Sequence, residues 1–263
     1  TADTVYTIYS KITSRDYQLF IFLPNSYSTK DSISYPVLFV LDGLRDLKKL
    51  GQINENLSGK IEEVVIVGIS SGAESDFWVN RQLDYTTSYY KKREKQNRKK
   101  YNLPKEAIST GGASEFLKCL KTEITPFLNK HYKLNSDRGI TGHSLAGLFT
   151  SYTLVNSTGF FNRYGINSPS FWWDDKKFLE QSASQLVNKN WDSKSKRIFL
   201  SVGGKEPKHM ITNTVKFKSN LELVKSENLI IIWSLFENET HGSAIGVSLN
   251  QTLLELYGIN RAN

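Results

Sequence analysis

The sequence predicts a single α/β domain in which a mostly parallel sheet is covered by helices on both faces. Three observations carry this. Strand-like apolar runs alternate with amphipathic helical segments along the chain. Two of those runs, residues 35–41 and 64–69, are apolar on both faces, the pattern of strands buried from two sides. No repeat and no linker divides the 263 residues, a length that one large domain can fill.

Residues 17–23 form the first apolar run and stop at Pro24. Tyr35-Pro36-Val37-Leu38-Phe39-Val40-Leu41 follows and closes at Asp42-Gly43, and residues 64–69 end near Ser70-Ser71-Gly72. A helix is expected from about Gly112, with Phe116, Leu117, Leu120, Ile124, Phe127 and Leu128 on one side and a kink or break at Pro126. Residues 137–141 read as a short buried strand, and 163–167, 197–202 and 229–236 as later ones. Amphipathic segments near 176–188, 212–227 and 243–257 separate or follow them.

The most informative stretch is Gly142-His143-Ser144-Leu145-Ala146-Gly147. A strand precedes it, and Leu148, Phe149, Tyr152 and Val155 follow at helical spacing. Strand, Gly-x-Ser and helix form the sharp turn that exposes a nucleophilic hydroxyl. Small residues flank the serine because strand and helix backbones nearly touch there. The chain departs from Gly-x-Ser-x-Gly in having Ala146 before Gly147.

In such sheets the chemistry gathers at the carboxyl ends of the strands. A base and an acid are therefore sought after the late strands, in the order serine, acid, histidine. His241 follows the 229–236 strand and opens the last helix, which suits a base; His209, in a loop beside Lys208, is its competitor. His131 reads as a surface helix cap, and the His143 side chain is expected to point away from the serine hydroxyl. Glu206, in Gly203-Gly204-Lys205-Glu206-Pro207 after the 197–202 strand, is the candidate acid, with Asp174 and Asp175 in reserve. A carboxylate there would hold the imidazole tautomer and stabilise the imidazolium. The developing oxyanion needs N–H donors. The amide of Leu145 is one by position, and that of Leu44 is the choice for the second, with Gly43 close behind.

Composition limits the alternatives. Hydrophobic content of 39% with 23% charged residues is that of an ordinary globule, and no apolar run approaches a membrane span. The single cysteine, Cys119, excludes an internal disulfide or a cysteine-rich metal site, and its apolar neighbours place it on a buried helix face. No histidine–carboxylate cluster has ligand spacing, so no metal and no cofactor is expected. Of the net charge of +8, residues 91–100 contribute +6. That run reads either as a solvated loop or as an electrostatic funnel for an acidic substrate. No nucleic-acid-binding motif accompanies it, so neither nucleic acid nor membrane is an expected partner. The chain starts at Thr1 rather than Met, so removal of a preceding segment is expected. Cytoplasm and bacterial periplasm stay equally open.

Taken in order, Val40-Leu41-Asp42-Gly43-Leu44, Arg81-Gln82-Leu83-Asp84-Tyr85-Thr86, Gly111-Gly112-Ala113-Ser114-Glu115-Phe116-Leu117, residues 142–147, Ser168-Pro169-Ser170-Phe171-Trp172-Trp173, Gly203-Gly204-Lys205-Glu206 and Thr240-His241-Gly242-Ser243 form one series. The series resembles the esterase-D-like branch of the α/β-hydrolases. That branch includes feruloyl esterases, siderophore trilactone esterases, S-formylglutathione hydrolases and mycolyltransferases. The likeness spans about residues 17–257 and looks nearest to bacterial α/β hydrolases related to siderophore esterases. It implies the α/β-hydrolase fold and a serine esterase with Ser144, Glu206 and His241 as triad and the Leu44 and Leu145 amides as oxyanion hole. Glu206 stands where many relatives carry Asp.

The expected partner is a small-molecule ester, with Arg45, Arg81, Trp172 and Trp173 as candidate substrate contacts. Trp172 and Trp173 would wall a pocket, or one would be core and the other semi-exposed. Arg81 is also expected to pair with Asp84. Residues 76–109 are long for a loop and are expected to fold over the site as a partial lid. A basic, tyrosine-bearing lid would suit an anionic aromatic ester, of siderophore lactone or feruloyl type. An acyltransferase using the same site, or a binding protein on the same scaffold, is the alternative.

Overall fold

The computed structural model describes residues 2–29, 32–72, 76–157, 159–189, 191 and 195–259, without the side chains of 44–48 and 54. Eight strands form one sheet: β1 (Thr4–Ser10), β2 (Arg15–Phe22), β3 (Tyr35–Leu41), β4 (Val65–Ser71), β5 (Leu134–His143), β6 (Arg163–Asn167), β7 (Lys196–Gly203) and β8 (Leu229–Phe236). Their spatial order is β1-β2-β4-β3-β5-β6-β7-β8. Only β2 runs against its neighbours, pairing antiparallel with β1 and β4; every other pairing is parallel. This is the α/β-hydrolase fold that the likeness implied.

Strand side chains alternate between two cores. On one face Leu38, Val40 and Ile66 meet Leu50 and Ile53 of α1 (Gly43–Asn56) and Leu249, Leu253 and Leu256 of α9 (Ala244–Tyr257). On the other, Val37, Phe39, Leu41, Val67 and Ile69 meet Phe116, Phe149, Phe178 and Phe217. Those four come from α4 (Ala113–Cys119), α6 (Leu145–Asn156), α7 (Lys177–Val187) and α8 (Lys208–Glu222). Burial on both faces is why β3 and β4 read as continuous apolar runs. Cys119 is fully buried.

Several expectations are corrected in detail. Residues 76–109 are not a long loop: they hold α2 (Phe77–Tyr85) and α3 (Lys91–Tyr101). The basic run is therefore a helix rather than a solvated loop. It is anchored by two buried polar side chains instead of an apolar face. Glu94 accepts from the Ser109 amide (3.0 Å) and the Thr110 hydroxyl (2.6 Å), and Asn97 donates to the Ser109 hydroxyl (2.9 Å). The expected break near Pro126 is a π-helical turn over Leu120–Ile124, ahead of α5 (Thr125–His131). Thr125 Oγ1 donates to the Leu120 carbonyl there (2.7 Å). Among the described residues no helix is long and apolar enough to cross a membrane.

The connection after β3 runs to β4 toward one edge of the sheet and that after β5 runs to β6 toward the other, so the carboxyl ends of β3 and β5 form its switch point, where ligands of open α/β sheets bind.

Candidate active site

Ser144 joins β5 to α6 with φ 64° and ψ −119°, a region that a residue with a side chain enters only when its surroundings impose it. Its amide donates to the Asn167 carbonyl (3.0 Å), and its own carbonyl accepts from the amides of Leu148 and Ser170 (both 3.0 Å). The turn is tight because strand and helix touch. A Cβ on Gly142 would stand 2.6 Å from Ala146, and one on Gly147 2.7 Å from the Asn167 carbonyl oxygen. Alanine at 146 fits, fully buried, so the departure from Gly-x-Ser-x-Gly leaves the turn intact.

The structure brings Glu206 and His241 together: His241 Nδ1 lies 2.7 Å from Glu206 Oε2. The carboxylate's other oxygen accepts from the Gly203 amide (2.9 Å) and from the Ser168 hydroxyl. Burial opposes ionisation of Glu206, but the hydrogen bonds from His241, Ser168 and Gly203 outweigh it and hold the carboxyl below the ordinary carboxylate range. The glutamate is buried, whereas the imidazole side chain is 40% exposed. His143 packs its ring against that of His241, centroids 4.5 Å apart. It thus touches the candidate base, a contact the sequence reading missed.

The Ser144 hydroxyl lies 3.2 Å from the hydroxyl of Ser170. Ser168 and Ser170 flank Pro169 in the loop after β6, so one short segment touches both the acid and the serine. Apart from the motif that contains them, no sequence signal singled them out. Beneath this loop Asn167 links Thr141, Ser201 and Thr252 in a buried hydrogen-bonded cluster that stiffens the strand ends.

The Leu145 amide opens α6, and the Leu44 amide stands in the first turn of α1, after Asp42 in the left-handed conformation (φ 60°, ψ 30°). The first amides of a helix have no partner within it and favour negative charge. The side chain of Arg45, an expected substrate contact, lies outside the described residues.

Other candidates are placed differently from expectation. His209 is in the first turn of α8, exposed, not in a loop. His131 accepts the helix-end role, with Nδ1 2.8 Å from the Phe127 carbonyl. Asp174 receives the Ser88 hydroxyl (2.7 Å). Trp173 is corrected from pocket wall to core: it is 1% exposed, and its Nε1 donates to the Ser88 carbonyl (3.3 Å). Trp172 stays partly exposed, and the Arg93 guanidinium of α3 lies 5.8 Å from the ring centroids of both tryptophans. Arg81 is corrected too. It does not pair with Asp84, which is bound by Arg15 and Tyr17 of β2. Arg81 is 5% exposed and its guanidinium binds Asp42, so it offers no open cation to a substrate.

Comparison with known proteins gives the family and the fold. A family described as "Putative esterase" matches residues 10–232. The chain is 24% identical over 253 residues to the apo-salmochelin esterase of Escherichia coli O6:H1, covering 94% of this chain and 76% of that protein. It is 25% identical over 256 residues to the ferri-bacillibactin esterase BesA of Bacillus subtilis, covering 93% and 86%. Among solved structures, the BES protein from Bacillus cereus superposes with a TM-score of 0.82 at 26% identity, covering 97% of this chain and 96% of that one.

Proposed function

We propose, from the premise that this chain belongs to that esterase family and is a carboxylic ester hydrolase, that it works through a serine acyl-enzyme. The observation that carries the proposal is the 2.7 Å contact of His241 Nδ1 with a buried glutamate, at the sheet end where the half-buried Ser144 sits on its turn. Nδ1–H donates to Glu206, which leaves Nε2 as the base. Substrate binding turns the Ser144 hydroxyl from Ser170 to Nε2, since such bonds commonly tighten only in the substrate complex. Nε2 takes the hydroxyl proton as Oγ attacks the ester carbonyl, and the Leu44 and Leu145 amides receive the oxyanion. Collapse expels the alcohol, which takes the proton back from Nε2. Water then gives a proton to Nε2 as it attacks the acyl-enzyme, and the acid leaves with Ser144 restored.

The substrate class is an anionic aromatic ester, with a siderophore lactone as its fullest form. Lys91, Lys92, Lys95, Lys99 and Lys100 are exposed on α3, and Arg93 connects that helix to Trp172, two residues from Ser170. An aromatic acid carrying negative charge would meet both a ring and a positive potential there. The names of the curated relatives, esterases of salmochelin and bacillibactin, fit this class.

Hydrolysis of p-nitrophenyl acetate and butyrate by wild type and Ser144→Ala tests the mechanism. Turnover by wild type that disappears in the folded variant is the expected result. Near-wild-type rates in the variant would sink it.

A further inference from the structure

We propose that Arg81 is a positioning residue that sets the separation of the two oxyanion-hole amides; the inference rests on the acyl-enzyme reading above. Those amides belong to different chain segments. Leu44 follows β3 and Leu145 follows β5, and the two strands are parallel neighbours. Their ladder registers Val40 against Thr141, so Asp42, just past the end of β3, and His143, the last residue of β5, stand two residues further along each segment. Beyond that point both chains leave the sheet through positive-φ residues, Asp42 at 60° and Ser144 at 64°. Sheet pairing no longer fixes the distance between them where the chemistry needs it fixed.

Arg81 spans that gap. Its Nε donates to both carboxylate oxygens of Asp42 (2.8 and 2.9 Å), and Nη2 donates to Asp42 Oδ2 (2.7 Å) and to the His143 carbonyl (3.2 Å). One planar guanidinium thus joins a residue two before Leu44 to a residue two before Leu145. Tyr85, one turn further along α2, adds a second tie: its hydroxyl accepts the Asp42 amide (3.2 Å), and its ring lies 5.6 Å from the guanidinium. Asp42 is 2% exposed. A buried ion pair is poor value as stability, because the desolvation of two charges offsets their attraction. The forked geometry of arginine is suited to positioning instead, and lysine cannot reproduce it.

Oxyanion donors act chiefly on the transition state, so moving them lowers kcat and leaves ground-state affinity unchanged. The test uses Arg81→Lys, Arg81→Met and Asp42→Asn beside wild type and Ser144→Ala, each melted by circular dichroism and assayed below its midpoint. Steady-state hydrolysis of p-nitrophenyl butyrate gives kcat and KM. Inhibition by an alkyl trifluoromethyl ketone, which forms an oxyanion on the serine, is compared with inhibition by butyrate. Arg81→Lys should lower kcat by about tenfold to a hundredfold, within the loss seen on deleting one oxyanion donor, with KM changed less than about twofold. Affinity for the ketone should fall with kcat while that for butyrate holds.

If neither Arg81 variant folds, Asp42→Asn carries the same test, because it keeps the residue's shape and breaks one arm of the fork. A folded Arg81→Lys or Asp42→Asn with a lower melting point but unchanged kcat and ketone affinity would make the contact merely structural and overturn the inference alone. Wild-type hydrolysis equal to that of Ser144→Ala would overturn the acyl-enzyme reading, and the inference with it.

Discussion

Glu206 divides its two oxygens between different tasks, and His241 has one of them to itself. Oε2 lies 2.7 Å from Nδ1, while Oε1 takes the Gly203 amide at 2.9 Å and the Ser168 hydroxyl. A glutamine at this position would have to point its NH2 either at the imidazole N–H or at two donors. Glu206→Gln is therefore expected to lower kcat by about 10²- to 10⁴-fold, as loss of the correct tautomer does in other serine hydrolases. Steady-state rates on p-nitrophenyl butyrate check this, and rates within twofold of wild type would remove Glu206 from the mechanism.

The same contacts set a pH dependence. A carboxyl held below its unfolded value of about 4.3 stabilises the fold above that pH and loses the contribution as pH falls through the folded value. The melting-temperature gap between wild type and Glu206→Gln should therefore be constant above about pH 5 and close below about pH 4. A gap that widened toward acid would reverse the sign of the assignment.

Cys119 is fully buried, out of reach of solvent and reagent. Burial pushes its thiol up to about 12, so it stays a thiol at neutral pH. Ellman's reagent should find no reactive thiol in the native protein and one per chain in denaturant. Rapid native reaction would show that α4 opens readily.

The α3 helix makes the substrate proposal testable. Replacing exposed Lys91, Lys92, Lys99 and Lys100 by glutamine removes charge without touching the Glu94 and Asn97 anchors. The variant should lose about tenfold or more in kcat/KM on an anionic aromatic ester, with neutral esters unaffected, and its salt dependence should flatten. Equal effects on both ester types would detach the basic helix from specificity.

Much of this architecture was legible in residue patterns, and the gaps have physical causes. β3 and β8 were readable to the residue because apolar runs between turn residues leave little choice. β1 was missed: it is an edge strand in which half-buried Thr4, Tyr6 and Ile8 alternate with exposed Val5, Thr7 and Tyr9, so no buried apolar run marks it. α3 was missed because its buried side chains are Glu94 and Asn97, so no apolar period marks it. In the candidate site, Ser144, Glu206 and His241 follow from strand ends and chain order. Arg81 and Ser168 do not, since their contacts join segments 39 and 38 residues apart.

The most direct test of the acyl-enzyme is covalent trapping at the nucleophile. Wild-type protein would be treated with a p-nitrophenyl alkylphosphonate, followed by p-nitrophenol release and peptide mass mapping. One equivalent of p-nitrophenol, with the adduct on the peptide carrying Ser144 and none in Ser144→Ala, is the predicted result. An adduct on another residue, or equal labelling of the variant, would contradict it.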